Sequence, residues 1–214
     1  MCLRYGPHSN ITLFTEYGFV EKYSPNGDQV DVSDILESLF HGKGFLGEWM
    51  KTTLEATNYW GYEIFLRYNT RFEMHPASRN WTLHDTPRPA HPSYRLLPAL
   101  RLLQLSPPLS QDTSVDEPTY DSPELKIWHE TILGEKDIVS PENEKAVWQQ
   151  LLGICEVAAK RADGGLDQLQ QACLGRKLLG WREYAVEAIR TLWLEEKKVA
   201  TAVMRSIESG QTMD

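Results

Sequence analysis

Cysteine is scarce: Cys2, Cys155 and Cys173 are the whole set, an odd number with no CxxC pair. That excludes a disulfide framework, and because His41, His75, His84, His91 and His129 are scattered, no spacing suggests a zinc site or any other metal site. Cys155 and Cys173 read as buried thiols. Long apolar runs are also missing. No stretch approaches the roughly 18 consecutive apolar residues of a membrane span, and the N-terminus lacks the basic-then-apolar pattern of a signal peptide. The expected address is therefore cytoplasmic or nuclear, with no membrane partner. Basic charge is in deficit, with 22 Lys and Arg against 30 Asp and Glu and a net charge of -8. Phosphate backbones need clustered cations, so nucleic acid is not an expected partner.

What remains is ordinary globular material, 41% hydrophobic and 24% charged, in a chain long enough for one sizeable core. Residues 3–20 carry no convincing N-cap followed by helical periodicity and read as loop and short strand. Beyond Asp28 the pattern changes. Ser33 or Asp34 can cap a short helix through Ile35, Leu36, Leu39 and Phe40, with Gly42 as a left-handed stop. Leu46, Trp49, Met50 and Leu54 fall on one helical stripe. Residues 62–84 fit a hairpin or a loop. In SYRLLPALRLLQL the regular turns are expected after Pro98, which has no amide to donate.

Residues 106–121 have little that can pack and read as a mobile acidic loop. Two strong helix starts follow, Ser122-Pro123 and Ser140-Pro141, each with a hydroxyl acceptor ahead of a proline. The first helix is expected to stop at Gly134, the second near Gly164. A last long helix runs through Ala185, Ile189, Trp193, Val199 and Val203 to Gly210. The fold class is mainly α: a helical bundle preceded by a short β and loop remnant.

The helical body offers no Ser, His and Asp constellation, no glycine-rich phosphate loop and no HExxH, and its tryptophans read as core. The NIT and NWT triplets at Asn10 and Asn80 match the glycosylation rule but carry no consequence without a secretory signal.

The exception is RYGPHSNITLFTEYGFV, residues 4–20. Tyr5-Gly6, Ser9-Asn10 and Tyr17-Gly18-Phe19 stand at the spacing YG, two residues, SN, a short apolar stretch, YGF. Taken singly, such pieces are turn and core features. Taken together, this segment resembles the closing motif of the SET domain in the Rubisco-methyltransferase family of protein-lysine methyltransferases. Downstream, NYWG at Asn58, HPSYRLLPALRLLQL from His91 and GEKDIVSPENEKAVW from Gly134 resemble the helical substrate-binding domain that follows SET in that family. The resemblance implies residues 1–28 as the end of a SET domain and 29–210 as the substrate-binding domain, with 62–79 inserted as a surface loop or a retained intron.

It further implies a parent enzyme that transfers a methyl group from S-adenosylmethionine to a lysine, or in the wider family a histidine, of a protein substrate. Tyr5 matches the catalytic tyrosine, whose phenol can orient a neutral amine without ionising near neutral pH. Tyr17 matches the tyrosine of the substrate channel. Phe19 matches the cofactor-binding residue that stacks on adenine, a contact worth on the order of 1 kcal/mol beyond burial. His8 falls at a variable position and receives no role.

The family's SET core, with its glycine-bearing cofactor motif, stands upstream of the matched segment. The chain therefore resembles a truncated product or an incomplete gene model. Residues 1–28 are expected to be poorly supported, their removal to cost little stability, and methyl transfer to be absent from this chain alone. The alternative of a different class is a non-catalytic module whose helical bundle binds a partner protein.

Overall fold

A computed structural model describes residues 8–21, 29–61, 64–68, 73–74, 81–82, 90–106, 122–174 and 180–210. Tyr5, residues 107–121 of the segment read as a mobile loop, and most of 69–89 lie outside them. The elements run α1 (Asn10–Thr12), a π-helical turn (Leu13–Tyr17), β1 (Gln29–Asp31), α2 (Ser33–His41), α3 (Phe45–Ala56), β2 (Phe65–Tyr68), β3 (Glu73–Met74), β4 (Trp81–Thr82), β5 (Ala90–Pro92), α4 (Leu96–Leu103), α5 (Pro123–Ile132), α6 (Pro141–Cys173) and α7 (Trp181–Glu208). The protein is mainly α. Strands β1, β2 and β5 form a small sheet in the order β1-β2-β5, and β3 pairs with β4 in an antiparallel ribbon.

The chain divides into two compact units: Met1–Val30, Leu66–His91 and Cys155–Asp214 make one, Asp31–Phe65 and Pro92–Ile154 the other. In the second, α2, α3, α4 and α5 pack successively. Leu36, Phe40, Met50, Leu54, Leu100 and Trp128 are fully or almost fully buried there. The Trp128 Nε1 donates to the Pro98 carbonyl at 2.9 Å, which satisfies the one polar atom of the indole. Trp60, from the NYWG segment, meets Phe40 edge to face at 5.5 Å. Gly47 brings α3 onto α2 so closely that a Cβ there would stand 1.8 Å from the Phe40 carbonyl oxygen.

The helix starts at Ser122 and Ser140 are as their chemistry requires. Ser122 Oγ accepts from Leu125 N at 3.1 Å and Ser140 Oγ accepts from Asn143 N at 3.1 Å. Gly134 and Gly210 both take positive φ at their expected stops.

Several local expectations need correction. Neither Ser33 nor Asp34 caps α2, whose N-cap is Val32 with no side-chain bond, and Cys173 is only half-buried. Residues 10–17 are helical, because Ser9 caps them by its side chain. Gly42 is right-handed (φ -61°), and the left-handed residue is Gly44, two positions on. Helix α4 begins two residues before Pro98, which sits in its first turn, where the amide is unneeded. Helix α6 does not stop at Gly164 but continues to Cys173, because a helix partner needs the space that Gly165 leaves.

The segment after Gly61 is also more embedded than a surface loop. Ile64 and Leu66 are buried, and β2 is the middle strand of the three-stranded sheet. Val32 N donates to Ile64 O at 3.1 Å and Ser93 N donates to Phe65 O at 2.7 Å.

The unit that carries the N-terminal strip is built on the C-terminal half of α6, on α7 and on residues 8–21. Ala158, Ala162, Ala188, Val199, Ala200 and Val203 are buried in it. Arg161 Nε to Glu196 Oε1 at 2.6 Å and Lys197 Nζ to Asp163 Oδ1 at 2.7 Å tie α6 to α7. Such partly exposed ion pairs contribute little singly, about 1 kcal/mol or less. The apolar seam beneath them sets the register.

Candidate functional site

The segment with the motif spacing folds into a compact local structure. Ser9 is extended (φ -69°, ψ 157°), and its Oγ accepts from Thr12 N at 3.4 Å while its carbonyl accepts from Leu13 N at 2.9 Å. One short helical turn follows, widening into the π-helical turn. Thr15 Oγ1 donates to the Ile11 carbonyl at 2.9 Å. The turn ends at Gly18, whose φ of 77° is left-handed and open to glycine without strain. Its amide donates to Phe14 O at 3.0 Å, and Phe19 N donates to Leu13 O at 3.4 Å.

This reversal at Gly18 brings Tyr17 and Phe19 to the same side, with ring centroids 6.3 Å apart and planes tilted by 40°. His8 adds a third ring, 6.3 Å from Tyr17. Tyr17 keeps 49% of its surface accessible, and Phe19 is half-buried. A row of partly accessible aromatic rings on a glycine-closed turn is suited to stacking on a flat ligand or lining a narrow passage.

Beneath the rings the segment is buried. Leu13 retains only 2% exposure and Asn10 none. The Asn10 side chain meets the chain again at Glu21: Glu21 N donates to Oδ1 at 2.8 Å and Nδ2 donates to the Glu21 carbonyl at 2.8 Å. Nδ2 also donates to Glu195 Oε1 of α7 at 2.5 Å. Sequence reasoning gave Asn10 no role, although it is one of the fixed points of the spacing and the first residue of a glycosylation triplet. A fully buried amide with these bonds cannot accept a glycan in this fold.

Tyr17 and Phe19 thus stand side by side, whereas Tyr5 lies outside the described residues. The other unit holds an open cleft of about 550 Å³, lined by Gln104, Leu105, Ser122, Glu142 and Asn143 among others, and none of the motif residues is in it. Among the described residues no group of three His, Cys, Asp or Glu stands close enough to hold a metal ion, and no helix is long and apolar enough to cross a membrane.

Residues 65–199 match the Rubisco LSMT substrate-binding family. The chain belongs to that family. The match runs from β2 through α4, α5 and α6 into α7, including part of the segment read as an insertion, while α2 and α3 precede it. Outside it, the chain is similar across almost its whole length to SET domain-containing protein 4 of Homo sapiens, 26% identical over 208 residues, which is 97% of this chain and 38% of that protein. The chain thus spans less than two fifths of that relative's length. No solved structure matches. Family and relative together support the chain as a C-terminal region of a SET-domain protein of the Rubisco-methyltransferase type.

Proposed function

We propose that this chain is the substrate-binding side of a protein-lysine methyltransferase, with residues 1–28 closing the SET domain and 29–210 engaging the protein substrate. The observation that carries the reading is the Tyr17-Gly18-Phe19 turn, which presents two aromatic rings 6.3 Å apart and belongs to the same compact unit as α7 of the family body. Tyr17 lines the passage for the acceptor side chain, and Phe19 offers its ring to the adenine of S-adenosylmethionine. The half-buried Phe19 ring fits that use, but it forms one wall only.

The cofactor, when bound, supplies an electrophilic methyl group on a sulfonium. The chain's own part is positional. Tyr5 accepts or donates one hydrogen bond to keep a neutral lysine amine aimed, and the aromatic turn excludes water from the passage. The acidic balance of the chain, -8, favours encounter with a basic protein surface, and the cytoplasm or nucleus offers such substrates.

Calorimetry tests the division of labour. The chain alone is expected to give no saturable S-adenosylmethionine binding up to about a millimolar, near -4 kcal/mol. The same chain joined behind a SET core is expected to bind it and to methylate lysine in a basic protein mixture. Micromolar binding by the chain alone contradicts the one-wall reading. Cofactor binding by the joined form without methyl transfer to any protein favours a non-catalytic interaction module.

A further inference from the structure

We infer that Asn10 is the positioning residue of the Tyr17 and Phe19 surface: its side chain joins the two ends of the loop that carries both rings and fastens that loop to Glu195 of α7. The inference rests on the proposed roles of Tyr17 and Phe19, but its geometry stands apart from them.

A primary amide has one carbonyl acceptor and two N–H donors. Here the acceptor receives Glu21 N, and the Nδ2 group serves both the Glu21 carbonyl and the Glu195 carboxylate. The orientation is not interchangeable. Glu21 N can only donate, and a carbonyl and a carboxylate can only accept, so a flipped amide would lose all three bonds. The pair of bonds to Glu21 imitates one rung of a strand ladder, with a side chain in place of a second backbone.

Between the rung's ends the chain makes the capped turn, the π-helical turn and the left-handed Gly18, so the rung closes the loop that presents the rings. The third bond links this closed loop to α7 at Glu195, inside the family match near its C-terminal edge. Asn10 itself is fully buried, with Glu195 half-buried and Glu21 at the surface, so an amide left without these bonds would be costly at the Asn10 end.

Neither alanine nor aspartate can do this. Alanine leaves Glu21 N, Glu21 O and Glu195 without the amide. Aspartate can still accept from Glu21 N, but it has no donor when ionised and sets a second carboxylate against Glu195.

Hydrogen exchange on the full chain, followed peptide by peptide, tests the assignment. In Asn10→Ala, amides from Thr12 to Glu21 should exchange faster by about tenfold or more, while α2 and α3 keep wild-type rates. Asn10→Asp should exceed Asn10→Ala over the same stretch. Glu195→Gln alone should change little, since its side-chain carbonyl still accepts, and in the Asn10→Asp background it should slow exchange back by about tenfold.

Unchanged exchange in Asn10→Ala overturns the inference. Uniform acceleration that includes α2 and α3 also overturns it, because that is loss of fold and not of position. So does failure of Glu195→Gln to relieve Asn10→Asp, a comparison that holds even where Asn10→Ala folds poorly. None of these readouts involves cofactor or methyl transfer. A positive exchange pattern beside a failed methylation assay would leave the positioning role standing and remove the methyltransferase reading alone.

Discussion

Gly165 of α6 lies against the indole of Trp193 of α7, so close that a Cβ on the glycine would stand 2.3 Å from Cε2. The neighbouring Gly164 has nothing within 4 Å of its Cβ position. Both glycines are interior to one helix, so both give up helix propensity relative to alanine. Only one of them gains close helix packing in return.

Opposite signs are therefore expected from adjacent substitutions. Gly164→Ala should stabilise by about 0.5 to 1 kcal/mol through propensity alone. Gly165→Ala must displace a stiff indole and should destabilise by about 1 to 2 kcal/mol net, overpacking exceeding the propensity gain. Urea denaturation of the two variants and wild type checks both. Equal effects would remove the α6 and α7 contact as the reason that α6 runs on through Gly164.

That pair also marks how far the sequence could be read. Capping chemistry is local, so Ser122-Pro123, Ser140-Pro141, Gly134 and Gly210 announced their ends within a few residues. Gly164-Gly165 read as a stop for the same local reason, while the cause of continuation is Trp193, which is distant in the chain. The strip reads as loop and short strand for a related reason: in the sequence Ser9 and Asn10 are points of a motif spacing, whereas in the fold they are a cap and a clamp whose partners are Thr12, Glu21 and Glu195. Tyr17 and Phe19 are legible singly from the YGF motif, but their side-by-side rings follow from the left-handed Gly18 between them. The clamp at Asn10 is not legible, because a buried amide is silent until the groups it meets are known.

Removal of residues 1–28 was expected from sequence to cost little. Burial of Leu13 and Asn10 favours the other outcome, in which the TLFTEYGFV segment is part of the core. A form beginning at Gln29 should lose about 2 kcal/mol or more, from Leu13 burial and the Asn10 bonds together. Chemical denaturation beside the full chain measures it, and equal midpoints would show that the strip is not part of the core.

Cys155 supplies a pH signature. Burial, with a smaller contribution from the Glu156 carboxylate, pushes its thiol from an ordinary 9.0 up to about 12. Between those values the unfolded chain gives up the proton and the folded chain keeps it. The contribution is therefore complete below pH 9 and falls as pH rises towards 12, by at most about 1.4 kcal/mol per pH unit. Between about pH 8 and about pH 10.5, wild type should lose about 2 kcal/mol more than Cys155→Ala. Parallel pH profiles for the two would mean that the thiol ionises as readily in the fold as outside it. A slow reaction with thiol reagents at neutral pH should accompany the shift.

Under the proposed function, Tyr5 aims the acceptor amine and the chain forms the substrate side of a protein methyltransferase. The most direct test is methyl transfer from S-adenosylmethionine to protein lysine by the chain joined behind a SET core, comparing Tyr5→Phe with wild type and measuring cofactor affinity in both. Tyr5→Phe should turn over about a hundredfold more slowly, with the cofactor dissociation constant unchanged, because the hydroxyl acts on the amine and not on the adenine. Unchanged turnover, or equal losses in turnover and cofactor binding, would contradict that role.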